Sequence, residues 1–182
     1  MTGAVMRGAD LRGSSATAAV LAQADLRNAD LREADLTDAD LTGAVFTDAK
    51  LRGAIGVNPY AIQPLYSRRL EPGSQVAYKL ITPAGEGTFA GGINYLDALA
   101  SGQTVRIPDA DTDEFETCGS GINVATLVWA LKEWREGRRV LEVRFEATDI
   151  AAISWASDGK FRLFRCRVTR EIDLSVVQGA AS

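Results

Sequence analysis

The chain has 182 residues, enough for one large or two small domains with a core in each. Its 20 Lys and Arg against 24 Asp and Glu leave a net charge of −4, which gives no general affinity for nucleic acid and, with an ordinary apolar content, argues against disorder. There is no histidine, which removes Ser-His-Asp and Cys-His activation and the zinc sites that need imidazole.

The two cysteines, Cys118 and Cys166, are too few for a structural zinc centre and match no redox spacing, so both are expected to be buried small hydrophobes. No apolar run approaches the ~20 residues of a membrane span. The start, Met1, Thr2, Gly3, Ala4, has no basic stretch followed by an apolar one, so no signal peptide is expected.

From Met6 every fifth residue is apolar or nearly so: Met6, Leu11, Ala16, Leu21, Leu26, Leu31, Leu36, Leu41, Phe46 and Leu51. Two residues before each stands a small one, from Ala4 to Ala49, and the residue between is often Asp, as in Ala24, Asp25, Leu26. On a helix a step of five turns the leucines by about 140°, which scatters them around the cylinder. Strand alternation fails as well, because five is odd. The pattern fits a chain that turns a corner every five residues, with the large residue and the small one pointing inward.

Over ten consecutive units this pattern resembles the A(D/N)LXX signature of the pentapeptide-repeat family. The resemblance implies a right-handed quadrilateral β-helix over residues 4–56, with four five-residue sides in each 20-residue coil. Ten units make about 2.5 coils, roughly 12 Å tall at the spacing of stacked strands. The pentad Ser14, Ser15, Ala16, Thr17, Ala18 has a small centre and is expected to leave the first coil irregular.

A step of 20 sorts the outward charges into columns. Arg12, Arg32 and Arg52 fall in one, beside Asp10 and Asp30, and Arg7 and Arg27 lie near Asp25. Alternating signs predict self-neutralised ladders rather than a phosphate site.

After Ile55 the repeat stops, and residues 57–73, with Pro59 and Pro64, read as a cap and linker. Residues 74–182 read as a small α+β domain with an antiparallel sheet and one main helix. Strands are expected at Val76 to Ile81, Thr104 to Ile107 and Val140 to Phe145; a further one, from Phe161 to Val168, changes register at Leu163 and Phe164 through a bulge. The helix is expected to start at an Asn123 cap, to carry Val124, Leu127, Val128, Leu131 and Trp134 on one face, and to stop at Gly137. Trp129 falls off that face.

Tyr78, Lys79 and Leu80, the stretch from Cys118 to Asn123, and Lys160, Phe161 and Arg162 resemble an uncharacterised domain that follows pentapeptide repeats in bacterial and phage-encoded proteins. No chemistry comes with that resemblance.

Nothing in these residues assigns a catalytic group, a cofactor or a metal. Gly119, Ser120, Gly121 and Ile122 before a helix resemble a phosphate-cradling or ADP-ribosyltransferase loop, without a P-loop lysine or the histidine such transferases use. The run from Asp109 to Glu114 matches no calcium-loop spacing and reads as a solvated acidic loop. Some pentapeptide-repeat proteins mimic DNA and bind gyrase, but eight acidic and six basic side chains over residues 1–56 make a weak mimic.

The expected function is a non-enzymatic structural or protein-interaction module, an accessory component of a phage particle, with a cytoplasmic or virion location. The repeat starts at residue 4 with no cap ahead of it, so its first coil is expected to meet a second copy or a larger protein. Val5, Met6, Leu11 and Val20 are the expected contacts there, with Trp129 as a separate anchor.

Overall fold

One residue in every pentad adopts a left-handed backbone: Gly3, Gly8, Gly13 and each fifth residue after them to Gly53, with φ between 56° and 77°. This is the corner of the repeat. Glycine, asparagine or aspartate occupies most of these positions because a side chain meets little penalty there only in those types. Ala18, Gln23 and Glu33 accept the same geometry at a cost.

The corners bring residues twenty apart into parallel pairing. Val5 pairs with Asp25, Asp10 with Asp30, Ser15 with Asp35 and Val20 with Asp40, and the pattern repeats once more up to Asp35 with Ile55. Amides complete each rung: Met6 N–H donates to the Asp25 carbonyl at 2.9 Å, and Asp25 N–H donates to the Ala4 carbonyl at 2.8 Å. The pentad around Ala16 is not irregular. Ala16 N–H reaches the Asp35 carbonyl at 2.8 Å as its neighbours do in their turn, because the backbone corner, rather than the central side chain, sets the path.

Inside the stack, Leu26, Leu31, Leu36, Phe46 and Leu51 form one buried cluster with Ala24, Ala29 and Ala34. Each buried leucine stabilises by about 2 kcal/mol.

In this computed structural model, which describes residues 2–58, 64–87, 92–157 and 159–174, the protein is mainly β and separates into two compact units. The first is Met1–Glu71 with Thr112–Gly119 and Ala152–Phe161; the second is Pro72–Asp111 with Ser120–Ala151 and Arg162–Ser182. The chain alone suggests a single division at residues 57–73, whereas these units are woven from alternating segments. Within residues 57–73, a 3-10 helix spans Pro64–Arg69; the expected proline break at Pro59 lies outside the described residues.

A seven-stranded sheet is built from β1 (Gln75–Ile81), β2 (Thr104–Arg106), β3 (Ile122–Ala125), β4 (Arg139–Phe145), β5 (Ile150–Ala152), β6 (Lys160–Leu163) and β7 (Arg165–Glu171), in the order β2-β7-β4-β1-β3-β6-β5. The resolved ladders β1 with β3, β1 with β4, β2 with β7 and β4 with β7 are antiparallel. On β4 the residues from Val140 to Val143 are all buried, so both faces of the strand are covered over that stretch.

Residues 160–171 are two strands, not one strand with a bulge. Phe164 alone joins β6 to β7, yet three strands separate them in the sheet. Four strand spacings are ~19 Å in a flat sheet, while two Cα steps reach ~7 Å. The sheet, open by its pairings, must therefore roll. Phe164 sits at the meeting point, its N–H donating to the Asp149 carbonyl at 2.8 Å and its carbonyl accepting from Ile107 N–H at 2.7 Å.

Two short helices replace the single one expected: α1 (Tyr95–Ser101), capped by the Asn94 side chain, and α2 (Leu127–Lys132), capped by Thr126. Residues 122–125, where the expected helix would begin, are β3. Pairing of Tyr78 with Ala125 takes these residues into the sheet. Gly137 lies beyond the end of α2, whose cap is Glu133. The helix therefore sits in a different frame, with Ala130 buried against Leu80 and Val140 and Val128 79 % exposed.

Candidate functional site

The two ends of the repeat stack differ. At the last rung, Phe115 and Trp155 pack against the interior cluster, their ring centroids 5.1 Å apart. Asp48 N–H donates to the Ala156 carbonyl at 3.0 Å, where the register of earlier rungs would call for the carbonyl of residue 67. Charged struts hold this cover. Arg52 donates to Asp113 at 2.7 Å and lies 5.7 Å from the Phe115 ring; Glu114 accepts from Arg69 at 2.9 Å and from the Trp155 indole at 3.2 Å.

The acidic run is thus not a solvated loop. Asp113 and Glu114 are ion-paired within the first unit, and Asp111, in the second, lies 3.8 Å from the buried guanidinium of Arg162. Arg162 also donates to the Asp111 backbone carbonyl. The sequence signal for this arrangement was the pairing of aromatic and acidic residues at 114 and 115, which proximity in the chain alone does not connect to the repeat.

At the first rung the interior is half open. Met6, Leu11 and Ala16 are only partly buried, whereas Leu26, Leu31 and Leu36 beneath them are closed off. The amides of Val5, Asp10 and Ser15 point to the side that a further rung would occupy, and they have no backbone acceptor among the described residues. Val5, 77 % exposed, and Val20, 49 % exposed, stand on adjoining sides of this rung. Four of the five expected contact residues, Val5, Met6, Leu11 and Val20, are therefore brought together. Trp129 is not among them: it belongs to the second unit, half-buried on α2.

The arginine columns are ion-paired as expected. Arg12 forks onto Asp10 at 2.9 and 2.7 Å, Arg32 repeats this on Asp30, and Arg7 and Arg27 share Asp25. The Arg12 fork holds the Asp10 carboxyl down at about 2. In a shallow cleft lined by Asp10, Arg12, Arg32 and Glu33, Arg12 is engaged by Asp10 and Arg32 by Asp30.

In the second unit a lysine is buried. Lys79 on β1 donates to the Asn123 carbonyl at 2.8 Å and lies 4.9 Å from the Tyr95 ring. Burial pulls its pKa down to about 8, and burial pushes that of nearby Cys166 up to about 12. Cys118, expected inside, is exposed at 3.6 Å from the Lys160 ammonium, because its loop runs over the surface. Gly121, with φ of 138°, leads into β3 rather than a helix. The glycine turn therefore lacks the helix N-terminus that a phosphate cradle of that type uses.

Among the described residues no helix is long and apolar enough to cross a membrane. Residues 1–32 and 19–55 match the family of pentapeptide repeats, in eight copies. No curated protein matches the chain. Residues 1–55 are a pentapeptide-repeat segment.

Proposed function

We propose that the chain is a non-enzymatic protein-interaction module, and that residues 4–56 form a right-handed quadrilateral solenoid docking through its first rung. The observation that carries this reading is the contrast between the ends. Phe115 and Trp155 cover one end, while the other presents half-buried Met6 and Leu11, exposed Val5 and Val20, and amides of Val5, Asp10 and Ser15 without backbone acceptors among the described residues. Such an edge pairs with another chain unless charge blunts it. Here the nearby charges, Arg12 and Asp10, are spent on each other.

The occupant is a second copy of the rung or the face of a larger assembly, of which a phage particle is one setting. The DNA-mimic alternative is disfavoured, because Asp10, Asp25 and Asp30, the aspartates of two columns, face arginines instead of forming a row of unmatched negative charge. A nucleotide-binding or transferase role for the glycine turn is disfavoured by its passage into a strand.

Light scattering across a concentration series tests the proposal. The protein is expected to gain mass with concentration or to elute with a partner, and Met6→Glu or Leu11→Glu is expected to abolish this. A folded protein that stays monomeric throughout and recovers no partner would refute it. Turnover in a broad hydrolase and transferase screen, lost on Cys118→Ala or Asp149→Asn, would refute the non-enzymatic part.

A further inference from the structure

Three neighbouring strands of the second unit carry four arginines on one face. In β2 and β7 the side chains alternate, so that Val105, Cys166 and Val168 point into the core and Arg106, Arg165 and Arg167 point out. The register sets Arg106 directly opposite Arg165 and, across the other edge of β7, Arg144 directly opposite Arg167. Like charges facing one another across strands destabilise a sheet. On β2 and β7 the packing does not call for them, since Val105, Cys166 and Val168 face the core and the arginines face away.

Their counter-charges are few. Arg165 is held by Asp149, and the Glu142 carboxylate, 4.0 Å from Arg144, already accepts from Arg170 and Thr169. The guanidinium groups of Arg106 and Arg167 have no hydrogen bond or ion pair among the described residues. The repeat segment shows the opposite habit, in which each of Arg12, Arg27 and Arg32 is paired with the aspartate two residues earlier. The four arginines line a cleft of about 330 Å³ with Glu146 and Asp149 at its side. Four positive and two negative groups leave it at +2.

We propose that this cleft binds a small diphosphate-bearing ligand. Guanidinium forks match phosphoryl oxygens two at a time, and two cross-strand arginine pairs offer one to each phosphoryl group. The hydroxyl of Thr104, opposite Arg167 in the ladder, supplies a further donor on the same face. The volume lies at the lower end of small-ligand sites. A long polyanion fits less well, because Glu146 and Asp149 stand at the cleft's side and the whole chain is negative. The described lining holds one aromatic residue, Phe145, and it is buried, so bases would find no stacking platform.

Calorimetric titration of the full chain with pyrophosphate, ADP, orthophosphate and a single-stranded 20-mer is the test. Saturable binding of pyrophosphate, at least tenfold tighter than orthophosphate and weakened at least tenfold in Arg106→Gln/Arg167→Gln, is expected. ADP binding as tight as pyrophosphate would identify the diphosphate as the recognised group in either source. In phosphate-free buffer Arg167→Gln is expected to raise Tm, and pyrophosphate is expected to raise the Tm of the parent protein but not of the double variant. Absence of pyrophosphate binding, binding unchanged in the double variant, or an oligonucleotide bound more tightly than pyrophosphate would each overturn the proposal.

Discussion

At the level of single residues, the corner positions of the repeat set a clear energetic rule. A left-handed backbone costs a residue with a Cβ about 1 kcal/mol or more relative to glycine. Ala18 occupies such a corner at φ 56°. Ala18→Gly is therefore expected to stabilise the fold by about 0.5–1 kcal/mol, read as a rise in denaturant midpoint, although an Ala-to-Gly change in an ordinary loop does the reverse.

Lys79 offers a pH-dependent test. Its folded pKa, near 8, lies below the ~10.4 of an exposed lysine. Below pH 8 both states hold the proton and the buried charge costs its full amount. Between about 8 and 10.4 the folded state has released the proton while the unfolded state keeps it, so this group makes stability rise with pH. Lys79→Met is expected to be more stable than the parent at pH 7 by about 2 kcal/mol. The difference should change by roughly 3 kcal/mol as pH climbs through the window, so that the parent becomes the more stable of the two by about 1 kcal/mol at its upper end. A constant difference across the range would mean that Lys79 is solvated.

At the level of elements, truncations along one interior column measure whether the first rung is open in solution. Leu31→Ala, in the closed middle, is expected to cost about 3 kcal/mol, and Leu11→Ala, at the open rung, about 1 kcal/mol. Equal costs would mean that something covers Leu11. At the opposite end Trp155→Ala removes half of the aromatic cover and is expected to cost about 2 kcal/mol, with amide exchange accelerating first around Asp48.

The repeat was readable because its five-residue period repeats ten times, and each register error would bury an aspartate or expose a leucine. β1, β2 and β4 were readable for a similar reason, from apolar alternation. The helix was not, since Val124 and Leu127 satisfy helical spacing while lying in different elements, and strand pairing at Ala125 outweighs local propensity. The break at Phe164 was seen as a change of phase, but a phase change alone does not say that the two pieces lie at distant positions of a rolled sheet. The placement of Val5, Met6, Leu11 and Val20 on one rung was readable for the same reason as the repeat. The arginine cleft was not, because its residues come from three strands whose neighbours are set by long-range pairing.

For the molecule as a whole, the first unit takes its C-terminal cover from residues that come long after the repeat. The repeat is made first, yet the rings and the carbonyl that close its last rung arrive with Phe115, Trp155 and Ala156. During synthesis the stack therefore waits, with an apolar end exposed, until most of the chain has emerged. A protease cut within residues 57–73 is expected to leave both fragments bound together under native conditions, separating only in denaturant. The released N-terminal fragment should then fail to refold alone and precipitate, whereas mixing it with the C-terminal fragment should restore it. For this protein, severing the backbone once is not the same as dividing it in two.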